Sequence, residues 1–165
     1  MQSLDRGEAS VIVAAPPADV YAVISDVTRT PELSPEILHC AWLDGATGPA
    51  VGARFVATNR AGRMTWKNRP VVVTADPGRE FAFARTEAFA GTVEWRYRLE
   101  PVAGGTRVTE SYEVTRPITV IGWFIIRGIA GCRDRRSDLE RGMEQTLQRL
   151  KAVVEDAPER VASSS

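Results

Sequence analysis

Histidine is almost missing from this chain: His39 is the only one among 165 residues. A Ser/His/Asp triad would have to be built on that residue alone. Its neighbour Cys40 does not complete a nucleophile–base pair with it, because successive strand residues point to opposite faces. Cysteine is scarce too. Cys40 and Cys132 form no Cys-x-x-Cys or Cys/His spacing, which argues against zinc. Free thiols are the expectation for both, with a disulfide between them as the alternative. Net charge is absent, since Lys+Arg and Asp+Glu both number 21. No overall field therefore favours nucleic acid or anionic lipid. There is no glycine-rich phosphate loop: Gly104-Gly105 reads as a hairpin turn and Gly45-x-x-Gly48 is isolated. With no metal-ligand cluster visible either, no metal and no cofactor are expected.

Long apolar runs are also lacking. Residues 118–131 are strongly apolar (Ile118, Val120, Ile121, Trp123, Phe124), but the run is too short to span a bilayer and carries Arg127. Its plain reading is a helix buried against a sheet. The alternative is a contact surface at a membrane, at a dimer interface or over a ligand. Peripheral membrane contact and a monomer or homodimer both stay open on that reading. The N-terminus has no apolar h-region, so a cytoplasmic protein is expected.

What the chain does have is alternation. Residues 92–100 place Val93, Trp95, Tyr97 and Leu99 on one face and charged or polar residues on the other. Residues 106–115 alternate as well, but their apolar face is Val108, Glu110, Tyr112 and Val114. A carboxyl group in a core-facing row is costly unless something receives it. A ligand cavity with a few placed polar groups does so. A four-residue loop at 102–105 sets Leu99 opposite Val108, Tyr97 opposite Glu110 and Trp95 opposite Tyr112.

Upstream, residues 8–14 form a first strand, and 17–26 form a short amphipathic helix that opens on Pro17. A further helical turn falls near 30–35. Strands follow at 37–43, 53–59, 64–74 and 80–86, joined by short turns that imply an antiparallel meander. After Arg116-Pro117 the period changes to 3.6, and Leu139, Met143, Leu147, Leu150 and Val154 make one helical stripe. Asp156-Ala157-Pro158 is expected to end this helix, which gives one domain over 1–157 and a disordered tail over 158–165. The layout is α+β: a curved antiparallel sheet of about seven strands with a long C-terminal helix, and two short helices after the first strand.

The run from Ser10 to Asp26, with Ala15-Pro16-Pro17, Val20-Tyr21 and Asp26, resembles the opening of the START-like (SRPBCC) superfamily. Gly52-Ala53-Arg54-Phe55, Trp66 and Leu147-x-x-Leu150-Lys151 extend the likeness over roughly 8–155, closest to the bacterial polyketide cyclase/dehydrase and lipid transport branch. The resemblance implies a helix-grip fold, with the sheet wrapped around the last helix and a cavity between them. Members bind lipids, sterols or polyketides, and some cyclise or dehydrate polyketide chains. No catalytic motif of the aromatase/cyclases maps onto this chain.

On this reading the ligand-binding candidates are Phe55, Asn59, Trp66, Asn68, Phe83 and Arg85 from the middle strands. Trp95, Tyr97, Glu110 and Tyr112 come from the last hairpin, and Phe124 and Met143 from the C-terminal segment. Glu110, Tyr97, Tyr112 and Arg85 are the candidates for acid–base chemistry, with Arg85 the expected ion partner of Glu110. Gly142 inside the last helix reads either as space for a ligand or for close approach of the sheet, or as an indifferent surface glycine. By analogy with the family, Glu32, Leu33 and Pro35 lie at the cavity entrance. The first functional expectation is a carrier or sensor of a hydrophobic, lipid-like or polyketide-like molecule. The alternatives are a cyclase, aromatase or dehydratase, and a partner- or membrane-contact module using 118–131.

Overall fold

A computed structural model of the protein describes residues 6–87, 91–116 and 135–162. The apolar segment 118–131, with Phe124 and Cys132, lies outside them. Strand β1 (Arg6–Val13) leads into helix α1 (Pro17–Ile24). Pro17 sits in the first turn, where its missing N–H breaks no bond, and Val20, Val23 and Ile24 face inward. Asp26 caps a 3-10 turn at Val27–Arg29 by accepting from the Thr28 amide at 3.1 Å. Helix α2 (Thr30–Leu33) is the expected further turn.

The strands that follow are β2 (Ile37–Trp42), β3 (Phe55–Ala61), β4 (Met64–Asn68), β5 (Val71–Asp76), β6 (Glu80–Glu87), β7 (Gly91–Val102) and β8 (Gly105–Arg116). Their ladders form a five-stranded sheet, β1-β8-β7-β6-β5, and a three-stranded sheet, β2-β3-β4. The sequence reading took 64–74 as one strand in one sheet. Pro70 divides it, because proline offers no N–H to the ladder. The register nevertheless runs on across the break. Ala57 faces Asn68, and three residues further along each strand Arg54 bridges Val71. Phe55 donates to the Pro70 carbonyl, and Val72 to that of Ala53. Backbone pairing thus continues past Pro70 and joins the two ladders.

The final hairpin is tighter than a four-residue loop, since Val102 and Gly105 themselves pair. The register is the expected one, with Trp95 opposite Tyr112, Tyr97 opposite Glu110 and Leu99 opposite Val108. Gly105 is obligatory. Its φ is 145°, and a Cβ there would stand 1.9 Å from the Val13 carbonyl oxygen.

Helix α3 (Arg135–Ala162) carries the predicted stripe, with Met143, Leu147, Leu150 and Val154 all buried. It packs on α1, α2 and β1. Lys151 Nζ donates to the Ile12 carbonyl at 2.9 Å, and the Ala14 amide donates to Glu155 Oε1 at 2.9 Å. The helix continues to Ala162 and does not end at Asp156-Ala157-Pro158. Proline removes a single ladder bond, and the turn before it is already anchored by Leu150 and Val154.

Candidate functional site

The inward side chains of β2, β3, β6, β7 and β8 face α1, α2 and α3 across a cavity of about 100 Å³. That is room for several water molecules or one small ring. Phe55, Phe81 and Phe83 make an aromatic wall, with Phe55 and Phe83 in edge-to-face contact at 5.4 Å. Ile24, Val27 and Leu33 close a second side, and Leu139, Gly142 and Met143 of α3 a third. Gly142 lies among the lining residues, and a Cβ added there would meet no described atom within 4 Å. The lining runs from part-exposed residues (Thr30, Glu36, Asp138) to fully buried ones (Asn59, Glu110).

The buried end is polar. Glu110 is 4% exposed, and its Oε1 accepts a hydrogen bond from Tyr97 Oη at 3.0 Å. Its Oε2 has no hydrogen-bond partner among the described residues. Burial pushes the Glu110 carboxyl up to about 8, against a smaller opposing effect of the Tyr97 hydrogen bond. At neutral pH the group therefore keeps its proton. Burial, reinforced by Glu110, holds the Tyr97 phenol well above its ordinary range. Nearby, Asn59 Nδ2 donates to the Ala57 carbonyl at 3.2 Å. Cys40 is a buried free thiol that burial raises to about 11, so it is a protonated wall residue rather than a nucleophile.

Among the sequence candidates, Phe55, Asn59, Asn68, Phe83, Arg85, Trp95, Tyr97, Glu110 and Met143 line this cavity, and Phe124 lies outside the described residues. Two candidates share the inward face without lining it. β4 is the edge strand of its sheet and reaches the cavity only at Asn68, so Trp66 lines a separate shallow depression with Arg54, Lys67 and Thr86. Tyr112 lies over Gly7, where a Cβ would come within 2.7 Å of its ring, and packs against Trp95 at 5.4 Å. The missing side chain of Gly7 leaves room for the Tyr112 ring over β1.

Arg85 does not pair with Glu110. Arg85 stands opposite Val93, whereas Phe81 stands opposite Tyr97, the residue that holds Glu110. The arginine is four residues along the strand from that level, roughly 13 Å. Phe81, Cys40, Thr146 and Asp138 are lining residues the sequence reading did not select. A signal for Phe81 was present, since it alternates with Phe83 on one face.

An antiparallel sheet closed by a C-terminal helix over an apolar cavity is the helix-grip arrangement of the START-like proteins. The chain belongs to the family described as "Polyketide cyclase / dehydrase and lipid transport", whose sequence pattern matches residues 6–155. It is similar to a polyketide-cyclase-like protein of Corynebacterium glutamicum solved by NMR. Identity is 35%, 94% of each chain is covered, and the TM-score is 0.61. A START superfamily protein of Mycobacterium smegmatis shares the fold at 16% identity and TM-score 0.70, with 93% of this chain and 99% of that one covered. The di-domain ARO/CYC StfQ of the steffimycin biosynthetic pathway does so at 17% identity and TM-score 0.72, with 93% and 51% covered. No curated protein sequence matches the chain. No helix of the described residues is long and apolar enough to cross a membrane.

Proposed function

We propose that the protein holds an apolar small molecule in the cavity between sheet and α3, as a carrier or sensor. The observation that carries this reading is Gly142. A residue that costs about 1 kcal/mol in a helix lines a cavity walled by phenylalanines, and a Cβ there would meet no described atom within 4 Å. Family membership supports it. The test is organic extraction of the purified protein with mass spectrometry, together with titration of an apolar fluorescent dye. Wild type should release a bound lipid-like or aromatic compound, or enhance the dye. Gly142→Leu should reduce dye binding at least tenfold while its circular dichroism is unchanged. A wild-type protein that neither carries a compound nor enhances the dye would sink the reading.

A second reading, catalysis on a polyketide-like chain, has one specific observation in its favour. Glu110 holds a proton near neutral pH, which suits a general acid. If the protein turns over such a chain, Glu110→Gln should lower the rate by roughly 10²–10⁴-fold. A carrier's affinity should change by less than about tenfold in the same variant.

A further inference from the structure

We infer that Glu110 and Tyr97 form an anchor for one uncharged carbonyl oxygen, so that the ligand is an apolar ketone, quinone or ester and not a carboxylate. The inference rests on the cavity reading above and adds what the cavity selects.

The argument starts from the hydrogen bonds of the pair. Tyr97 Oη donates to Glu110 Oε1, which leaves the acid's own proton on Oε2. Oε2 is buried and meets no described acceptor. A buried donor without a partner destabilises the empty protein, and a ligand oxygen that accepts from it removes that penalty on binding. A hydrocarbon of the same shape cannot. The acid is kept neutral by burial, so the anchor works below the pH at which Glu110 ionises.

The surroundings decide against an anion. Among the described residues, the ionisable side chains lining the cavity besides this pair are Arg85 on β6, Cys40 on β2, Glu36 before β2 and Asp138 on α3. The Cys40 thiol is protonated at neutral pH. Arg85 stands at the level of Val93 and is already engaged with a neighbour. The partner of Glu110 on β1 is Ala9, which brings no charge. Glu36 is engaged with a neighbour as well. The burial that keeps Glu110 uncharged would equally penalise a carboxylate brought beside it, and a neutral carbonyl carries no such cost.

The test uses three probes of nearly one size, acetophenone, ethylbenzene and benzoate, titrated by NMR into the full ¹⁵N-labelled chain. At pH 6, acetophenone should bind at least tenfold tighter than ethylbenzene, and benzoate more weakly than either. Between pH 6 and 10 the preference for the ketone should fall towards unity. Glu110→Gln keeps a neutral donor, so its preference should persist and become flat with pH. Glu110→Met should bind ethylbenzene and lose the preference at pH 6. Equal binding of ketone and hydrocarbon by wild type, a preference for benzoate, or a preference that survives in Glu110→Met would overturn the anchor while leaving the cavity reading intact. If none of the three binds, the cavity reading fails and the anchor with it.

Discussion

Strand β7 puts two opposite electrostatic solutions one residue apart. On its outer face Arg96 sits between Glu80 and Glu94 and ion-pairs with both, with Arg98 3.6 Å from Glu80. Arg96, Glu80 and Glu94 are part-exposed, Arg98 is exposed, and each carboxylate finds a cation. On the inner face Tyr97 meets Glu110, which is buried and finds a phenol. The residue type is the same and the sheet is the same. What differs is the medium, and it converts a charged surface partner into a neutral buried acid. A carboxyl group in an alternating strand thus has no fixed meaning until its face and its neighbour across the ladder are known.

The largest effect that tests this contrast is the pH dependence of stability. The Glu110 carboxyl is raised from 4.5 to about 8 in the folded protein. The folded state therefore binds a proton that the unfolded chain has released, and stability must fall as pH rises between those values. The contribution is fully present below about pH 4.5 and is lost once the pH passes about 8. Urea midpoints at pH 5, 7 and 9 should show wild type losing a few kcal/mol, roughly, relative to Glu110→Gln. Parallel curves for the two proteins would mean that the inner carboxyl ionises like the outer ones, and the contrast would collapse.

The next effect sharpens the boundary between packed and empty parts of the inner face. Gly7→Ala places a methyl 2.7 Å from the ring of Tyr112, which is 2% exposed and held by Trp95. Thermal unfolding should show a loss of about 1–3 kcal/mol. A neutral result would mean that Tyr112 can swing towards the cavity and belongs to it.

The smallest effect lies on the outer face. Arg96→Ala removes two ion pairs whose members are 24–27% exposed. The expected loss is about 1 kcal/mol or less, and it should shrink in 1 M salt. A larger, salt-independent loss would show that the outer cluster is organised as tightly as the inner pair.

Much of this arrangement was legible in the chain, because a period of two fixes which residues share a face. Glu110 stood out as the polar member of an apolar row, and the hairpin turn fixed its level against Tyr97. The partner assigned to it from sequence was wrong for a related reason. Whether Arg85 reaches Glu110 depends on the register between β6 and β7, and alternation fixes parity without fixing level. Trp66 and Tyr112 show another limit. Both lie on the inward face, yet lining the cavity also depends on how far the space extends across the sheet and on which neighbour leaves room. For Tyr112 that neighbour is Gly7, 105 positions earlier in the chain. Reading 64–74 as one strand passed over Pro70, whose missing N–H breaks the ladder. That the register would continue across it could only be seen with both strands in place.

The tie between Ala14 and Glu155 spans 141 positions. During synthesis the ribosome makes β1 well before the last turns of α3. Every strand of the sheet can exist before the helix that covers its inner face has left the exit tunnel. The phenylalanine wall is then exposed to the cell for as long as the remaining residues take to be added, a few seconds at about 5–20 residues per second. The long-range closure that forms the cavity is also the step before which a nascent chain is open to aggregation or chaperone capture. Truncations that stop short of Glu155 should leave chains that associate with chaperones through the surface that α3 covers in the finished protein.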